Sequence, residues 1–208
     1  MNTAKTDLSK YDNGWYKPGG SRLKRFLWYY TNALFFLCPL FPFNFLKIFL
    51  LRLFGASVGK RVTIKPGINI KYPWLLNIGN YVWIGENVWI DNLAKISIAG
   101  NACISQGALL LTGNHDYTRP SFDLTVKEII IEEGVWIGAK AVVCPGVNCK
   151  SHSVLAAASV ATKDLEPYSV YGGSPAVKIK ERLLSDVPPP THMSDENARQ
   201  HNNLKLEA

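Results

Sequence analysis

The sequence is poor in the residues that bind metals or form disulfides. Among its 208 residues are four histidines and four cysteines, and no two cysteines have CxxC spacing. The cysteines are Cys38, Cys103, Cys144 and Cys149, and no cleavable signal segment precedes them. We therefore expect reduced thiols and a cytoplasmic location, with Cys149 as a small core residue and not a nucleophile.

The sequence also lacks the motifs of nucleic-acid-binding proteins, although its formal net charge is +7. The basic residues crowd into the first third and near the end, without a helix-turn-helix or RNA-binding pattern. We therefore expect no nucleic-acid partner. An apolar content of 47% is enough for one domain with a sizeable core, which excludes a disordered or fibrous chain.

Charged residues are absent from residues 26–46, where Phe, Trp, Tyr and Leu dominate. This stretch is long enough to cross a bilayer, but Pro39 and Pro42 interrupt a continuous helix. Basic residues, among them Lys47, flank it on both sides. Residues 22–54 therefore suit two short helices lying on the inner, anionic face of a membrane. The same helices could instead pack on the next domain or on a neighbouring subunit, and the sequence leaves both interpretations open.

The chain divides into four regions by composition. We assign residues 1–20 to a polar arm and residues 21–57 to a hydrophobic, amphipathic helical segment. Residues 58–182 form the main domain because they contain a six-residue repeat. Residues 183–208 are predicted to be a mobile tail, which includes His192 and His201.

The repeat consists of aliphatic residues at every sixth position, in runs whose register shifts by two or is interrupted. A small or branched residue often lies two places earlier, which puts both side chains on one face of a strand. Gly, Asn and Pro between the pairs suit tight corners. The runs are Val58, Ile64, Ile70; Ile78, Ile84, Ile90, Ile96; Ile98, Ile104, Leu110; and Ile131, Ile137, Val143, Cys149, Leu155, Ala161.

This period excludes an amphipathic helical repeat, in which apolar residues would recur at spacings of three and four. The sequence therefore predicts a mainly β fold. The chain is predicted to coil as a β-solenoid. If three six-residue units close each turn, stacked coils bury the aliphatic residues.

The longest departure from the repeat, residues 112–128, is too long for a corner and is predicted to project as a loop. It contains His115, one of two histidines inside the repeat. The other, His152, falls on a corner, where we expect solvent exposure and no role. A neutral imidazole can take a proton from an attacking alcohol, so His115 is the candidate general base, with a plain hydrogen-bonded loop histidine as the alternative. At another corner, Asp91 and Asn92 could bind an acceptor or cap a turn.

Several segments together resemble the sugar and xenobiotic O-acetyltransferases of the hexapeptide-repeat kind, a group that includes the galactoside, maltose and nodulation-factor acetyltransferases. The segments are Gly113-Asn114-His115-Asp116, Val135-Trp136-Ile137-Gly138-Ala139, Val160-Ala161-Thr162-Lys163-Asp164 and Gly172-Gly173-Ser174-Pro175-Ala176. Within the group, Leu53-Phe54-Gly55-Ala56, Trp89-Ile90-Asp91-Asn92-Leu93-Ala94 and Asn114-His115-Asp116-Tyr117 most resemble the colanic acid biosynthesis acetyltransferases. The resemblance implies left-handed coils, a homotrimer, and active sites between adjacent subunits.

The resemblance also implies roles for individual residues. The catalytic histidine of the family corresponds to His115, and Asp91, Asn92, Asn114 and Asp116 are implied near the acceptor. The implied coenzyme A contacts are Gly138, Ala139, Ala157 and Ala158 along the pantetheine arm, Thr162 and Lys163 near the nucleotide, Pro175 and Ala176 at the adenine, and Lys178 and Arg182 at the phosphates. Many relatives have serine where this chain has Ala139, so a side-chain hydrogen bond made there is missing.

The implied reaction moves an acetyl group from acetyl-CoA to a hydroxyl of a sugar or lipid-linked oligosaccharide, in the synthesis of an exopolysaccharide of the colanic acid type. No metal is required, because the thioester is already activated. A soluble small-sugar or xenobiotic acetyltransferase is an alternative. A metal-binding solenoid would need more than two histidines in the repeat. A non-catalytic scaffold would need neither the histidine loop nor the Gly-Ser-Pro-Ala closure.

Overall fold

The computed structural model describes residues 4–185, so most of the predicted tail, with His192 and His201, lies outside the described residues. The chain begins with the arm, which contains a 3-10 turn at Leu8–Lys10. Helix α1 spans Arg22–Thr31 and helix α2 spans Asn44–Leu53, with a π-helical turn at Asn32–Leu37 between them. No helix in the described part of the chain is long and apolar enough to cross a membrane.

Short strands make up most of the remaining chain. In order they are β1 (Ser57–Val58), β2 (Thr63–Ile64), β3 (Asn69–Ile70), β4 (Leu76–Ile78), β5 (Trp83–Ile84), β6 (Trp89–Asp91), β7 (Ile96–Ile98), β8 (Cys103–Ile104), β9 (Leu109–Leu111), β10 (Gly113–His115), β11 (Leu124–Val126), β12 (Ile129–Ile131), β13 (Trp136–Ile137), β14 (Val142–Val143), β15 (Asn148–Cys149), β16 (Val154–Leu155), β17 (Val160–Ala161), β18 (Ser169–Gly173) and β19 (Ala176–Glu181).

These strands form a parallel β-solenoid of about six turns, as the six-residue repeat predicts. The first sheet has the order β1-β4-β7-β12-β15 and the third has the order β3-β6-β9-β14-β17. The second sheet runs β2-β5-β8-β13-β16-β18 and ends with the antiparallel β19. Strands β10 and β11 pair with each other as a hairpin outside the three sheets. The predicted fold class is confirmed.

The aliphatic positions of the repeat stack in three columns inside the solenoid. In the second sheet, for example, Ile64 pairs with Ile84, which pairs with Ile104, and both neighbours of Ile84 are equally buried. Burial of these side chains is the main stabilising contribution to the fold. Cys149 is a member of the first column, and burial raises the pKa of its thiol to about 12. It is therefore the protonated core residue that the sequence predicts.

One edge of the solenoid is wider than the other two. After β3, β6 and β9 the chain needs extra residues before it reaches the first sheet again, and these additions lie at 71–75, 92–95 and 112–128. Because successive coils stack, the three additions lie on the same edge, between the third and first sheets. The histidine loop is the third and longest of them.

The N-terminal helical segment covers the open end of the first coil. Trp28 Nε1 donates a hydrogen bond to the carbonyl of Ile70, and Asn32 bonds the backbone N–H of Ile70. Asn44 donates to Val62 O and accepts from Ile64 N, both at 2.8 Å. The first coil has no preceding coil to bond its backbone N–H and C=O groups. These contacts satisfy those groups and cover the exposed edge of the sheets. The inner face of the segment therefore packs on the next domain, which is one of the two alternatives that the sequence left open.

The outer face of the same segment remains apolar and exposed. Its large side chains include Phe26, Tyr29, Phe45 and Phe49, each more than half exposed. Lys47 does not belong to this face, although the sequence suggested it as a cation flanking the hydrophobic stretch. It is 1% exposed, and burial lowers the pKa of its amine. Helix α2 turns Lys47 inward because the opposite face of the helix carries the exposed aromatic residues.

Candidate active site

Buried polar side chains anchor the root of the histidine loop. The amide of Asn92 accepts from Tyr72 N at 2.9 Å and donates to Tyr72 O at 2.6 Å. One coil further on, Thr112 Oγ1 accepts from Ala94 N and donates to Asp91 O at 3.0 Å. Asn92 and Thr112 are fully buried. Paired polar groups of this kind fix a unique backbone geometry, so the loop projects from a rigid base.

His115 ends strand β10 and is held from two sides. Its Nδ1 lies 2.9 Å from the carbonyl oxygen of Phe122, and the two rings stack with centroids 4.4 Å apart and planes 8° apart. A carbonyl oxygen can only accept, so Nδ1 carries the proton and Nε2 keeps its lone pair. Phe122 has a φ of 53°, which is unusual for a non-glycine residue. The arrangement leaves Nε2 as the ring nitrogen that can accept a proton.

The residues beside His115 shape the loop. Asn114 Oδ1 accepts from the backbone N–H of His115 at 2.8 Å. Asp116 accepts from Thr118 and forms an ion pair with Arg119 at 3.3 Å. The hydrogen bonds from Thr118 hold the pKa of Asp116 below its usual value, so it stays charged. Both side chains therefore stabilise the turn that follows the histidine.

The N-terminal arm lies over the loop, a contact that the sequence did not predict. Asp7 N donates to Pro120 O at 2.8 Å, and the ring of Tyr11 lies 5.9 Å from that of His115. Tyr16 donates its hydroxyl to Leu93 O at 2.7 Å, and burial raises the pKa of that phenol. The arm thus forms one wall of the space around the histidine.

A cavity of about 460 Å³ lies between the arm, the loop and the wide edge. His115 and Leu124 line it from the loop, Tyr11 and Tyr16 from the arm, and Tyr72 from the solenoid. Aromatic walls and a few polar groups are typical of small-ligand sites. The cavity is the candidate acceptor site.

Asp91 and Asn92 lie at the neighbouring corner but differ in accessibility. Asn92 is fully buried with its amide bonded to Tyr72, which is the turn-stabilising role. Asp91 forms an ion pair with Lys71, with Oδ1 and Nζ 2.9 Å apart. That oxygen lacks a geometrically ideal hydrogen bond, but the ammonium beside it compensates its charge.

A second cavity, of about 870 Å³, lies along the second sheet, and Gly138, Ala139 and Ala157 line it together with Trp136 and Arg182. Gly138 is required here because a Cβ atom would lie 2.5 Å from the backbone nitrogen of Ala157. The groove is a channel in which these small residues lie beside larger side chains, and the small residues leave room for the narrow pantetheine arm of coenzyme A. Four of the predicted coenzyme A residues, Gly138, Ala139, Ala157 and Arg182, come together in it.

The remaining predicted coenzyme A residues lie near the last coils. Thr162 and Lys163 are exposed after β17, and the exposed Ala158 lies on the corner after β16. Ser174 and Pro175, joined by a cis peptide bond, form the turn between β18 and β19, and Ala176 begins β19.

The two candidate phosphate ligands already have protein partners. Lys178 contacts Glu181 at 2.7 Å and Glu166 at 2.9 Å, and these hydrogen bonds raise the pKa of its ammonium. Arg182 donates to Gly134 O and His152 O. Lys180, one of the basic residues that gather near the end of the chain, also lines the large cavity. The corner histidine, His152, stacks on Tyr168 with centroids 4.8 Å apart.

Metal ligands do not cluster in the described residues, where no group of three or more His, Cys, Asp or Glu side chains could hold an ion. In the same part of the chain an imidazole lines one cavity, and Gly138 and Ala139 line another. The stacked six-residue coils define the class of protein: an acyltransferase of the left-handed β-helix fold.

Comparison with known proteins identifies the family. The chain is 38% identical over 168 residues to the protein of Escherichia coli strain K12 assigned as the colanic acid biosynthesis acetyltransferase WcaF, covering 81% of this chain and 92% of that protein. A maltose O-acetyltransferase structure from Clostridium difficile 630 superposes with a TM-score of 0.70 at 25% identity, over 79% of this chain and 90% of the other. None of the family models compared with the sequence matches it.

A further structure shows a related protein with the cofactor bound. It is a hexapeptide-repeat acetyltransferase of Vibrio cholerae in complex with acetyl coenzyme A, with a TM-score of 0.62 and 28% identity, over 66% of this chain and 77% of that chain. The chain belongs to the hexapeptide-repeat acetyltransferase family, and it is an acetyl-CoA-dependent acetyltransferase. The predicted family, enzyme class and cofactor are confirmed.

Proposed function

We propose that this enzyme transfers the acetyl group of acetyl-CoA to a sugar hydroxyl and that His115 is its general base. The observation that carries the proposal is the hydrogen bond from His115 Nδ1 to Phe122 O, because it leaves Nε2 as the proton acceptor. The cavity of His115 has the tyrosine-rich walls expected around a sugar ring.

The reaction needs no covalent enzyme intermediate. His115 Nε2 takes the proton of the acceptor hydroxyl as the oxygen attacks the thioester carbonyl carbon. The tetrahedral intermediate then expels the thiolate of coenzyme A as the C–S bond breaks, and the imidazolium returns the proton to the sulfur. The protein aligns the two reactants and excludes water, effects that together with the base account for the rate.

Coenzyme A is proposed to lie along the channel of Gly138, Ala139 and Ala157, with Ala158 flanking it. Its nucleotide end would extend toward Thr162, Lys163, Pro175 and Ala176. Arg182 lines the same channel and is a candidate for the phosphates. Lys178 could reach a phosphate only after exchanging one of its carboxylate partners.

The active enzyme is proposed to be a homotrimer with its sites between subunits. The His115 cavity and the Gly138 channel have no lining residue in common and lie on different sides of the solenoid. A second copy of the chain, packed side by side, would bring the channel of one subunit to the histidine of the next. Such a contact would also cover Trp83 and Trp136, which project from the second sheet.

The acceptor is proposed to belong to exopolysaccharide synthesis of the colanic acid type, as a sugar or a lipid-linked oligosaccharide near Asp91, Asn114 and Asp116. The similarity to the E. coli protein supports this assignment. The exposed apolar face of residues 22–54 is in turn proposed to rest on the inner face of a membrane, where lipid-linked acceptors are found.

The test is the release of thiol from acetyl-CoA in the presence of different acceptors. We expect turnover with lipid-linked oligosaccharides or nucleotide sugars, and little with simple galactosides, maltose or chloramphenicol. Preferential turnover of the simple acceptors would favour the small-sugar or xenobiotic alternative. Absence of coenzyme A binding would contradict the proposed channel.

A further inference from the structure

A third cavity adjoins the one that contains His115. It has a volume of about 480 Å³ and lies between helix α1 and the third sheet. Its walls are mainly apolar and include Trp28, Leu37, Ile70 and Trp89. Arg25, Lys71 and Tyr72 line this cavity and the His115 cavity alike, so the two spaces meet at these three side chains.

The junction carries positive charge. Arg25 donates only long hydrogen bonds of 3.3 and 3.4 Å, to the carbonyls of Gly20 and Gly19, and forms no ion pair with a described residue. Lys71 is paired with Asp91 at 2.9 Å, which leaves the guanidinium charge uncompensated. Moreover, the sequence contains no Asp or Glu between Asp12 and Glu86. The junction is therefore suited to an anion.

The apolar cavity leads toward the surface of the helical segment. Tyr29 and Leu37, which line it, are 69% and 42% exposed and belong to the outer apolar face. A ligand chain leaving the cavity would thus meet a hydrophobic surface and not a polar one. The three parts in order are an imidazole with aromatic walls, a cationic junction, and an apolar channel that opens onto an apolar face.

We propose that the two cavities form one groove for an amphiphilic acceptor, in which the sugar lies at His115, a phosphate group lies at Arg25 and Lys71, and an apolar chain follows Trp28 and Trp89. This inference rests on the proposed function and adds to it the chemical class of the acceptor and the residues that select it. Arg25 is the main anion ligand, since its planar guanidinium can bind a phosphate with two hydrogen bonds. Lys71 offers its remaining ammonium protons to the same group.

Binding of three soluble probes to the intact chain tests the groove. Binding is followed by the change in total tryptophan fluorescence, to which Trp28 and Trp89 contribute as two of six tryptophans, and calorimetry gives the affinity independently. Farnesyl phosphate, used below its micelle concentration, should bind at least about tenfold more tightly than farnesol or inorganic phosphate, because only it offers both parts. Equal affinities for farnesyl phosphate and farnesol, equal affinities for farnesyl phosphate and phosphate, or no binding of farnesyl phosphate would each overturn the proposal.

Variants locate the binding. Arg25→Gln should weaken farnesyl phosphate binding about tenfold, and Arg25→Lys should restore most of it. Arg61→Gln, an exposed arginine outside both cavities, is the matched control and should leave the affinity unchanged. An equal loss in the Arg25 and Arg61 variants would contradict a defined site and indicate general attraction to a basic protein.

The assay also separates this inference from the proposed function, because it measures binding without chemistry. His115→Ala should bind farnesyl phosphate as the unmodified chain does. Failure of farnesyl phosphate to bind an enzyme that still acetylates sugars would reject the groove alone.

Discussion

The hydrogen bond from Nδ1 of His115 to the carbonyl of Phe122 leaves Nε2 as the ring nitrogen that can accept a proton. The position of His115 in the only long excursion from the repeat identified it as the candidate base, whereas its partner Phe122 carried no signal in the sequence. The partner contributes a main-chain carbonyl, and any residue type has one. Its left-handed φ of 53° follows from the path of the loop and not from a preference of phenylalanine.

Phe122→Ala tests the positioning of the histidine. The variant keeps the carbonyl that accepts from Nδ1 but removes the ring that stacks on the imidazole at 4.4 Å. We expect kcat to fall about tenfold, because a loosened base spends less time aligned with the hydroxyl. Phe122→Tyr keeps the ring and should remain close to the original rate. Full turnover by the alanine variant would show that stacking has no part in positioning.

Lys47 is a residue whose burial destabilises the folded state. Its Nζ is buried without a hydrogen-bond partner among the described residues, and desolvation lowers the pKa of the amine. Lys47→Met fills the same space without a polar atom and should raise Tm by about 2–8 °C. The amine of Lys47 binds its proton more tightly in the unfolded chain than in the folded one. The gain in Tm from Lys47→Met should therefore be full below the lowered pKa and shrink as pH rises toward 10.5. A lower Tm, or a gain in Tm that increases with pH, would show that the buried amine of Lys47 does not destabilise the folded state.

At the scale of elements, the N-terminal arm and the helical segment have different roles. The helical segment caps the first coil through Trp28, Asn32 and Asn44, so it belongs to the folding unit. The arm contacts the loop through the hydrogen bond from Asp7 to Pro120 and through the ring of Tyr11. Sequence periodicity revealed neither set of contacts, because both join segments that are distant along the chain and follow no repeat.

Removal of residues 1–17 tests the role of the arm. The solenoid and its cap should remain folded with a modest decrease in Tm, since none of residues 4–17 belongs to the buried core. The KM for the acceptor should rise about tenfold or more as Tyr11 and Tyr16 are lost from the cavity, while the affinity for coenzyme A stays unchanged. Tyr16→Phe, which loses only the bond to Leu93 O, should have a smaller effect. An unchanged acceptor KM would remove the arm from the site.

For the molecule as a whole, the sequence predicted the solenoid well because the six-residue repeat is a local pattern. Each six-residue unit indicates by itself which side chains point inward, and the register shifts before Ile78 and Ile98 correspond to the widened corners. Lys47 was predicted to flank the hydrophobic stretch at a membrane surface, and this was wrong, because its side chain points inward. Hydropathy alone does not show which face of a short helix meets the first coil. The joining of two cavities at Arg25 and Lys71 depends on how helix α1 packs, and no motif describes it.

Complementation between two inactive variants tests the assembly. His115→Ala removes the base, and Ala139→Trp fills the coenzyme A channel, so each should be inactive alone. If the site combines a loop from one subunit with a channel from the next, refolding the two together should restore about a quarter of the sites. The assembly should have three times the 23.2 kDa chain mass. A mixture without activity, or a monomeric enzyme that is fully active, would contradict sites between subunits.

The most direct measurement of the central claim is the kcat of His115→Ala at saturating acetyl-CoA and acceptor, together with its affinity for coenzyme A. We expect a decrease of about 10²- to 10⁴-fold in kcat with an unchanged affinity for coenzyme A, because general acid and base catalysis contributes in that range. An alanine variant that turns over at nearly the original rate would show that the imidazole held by Phe122 does not move the proton.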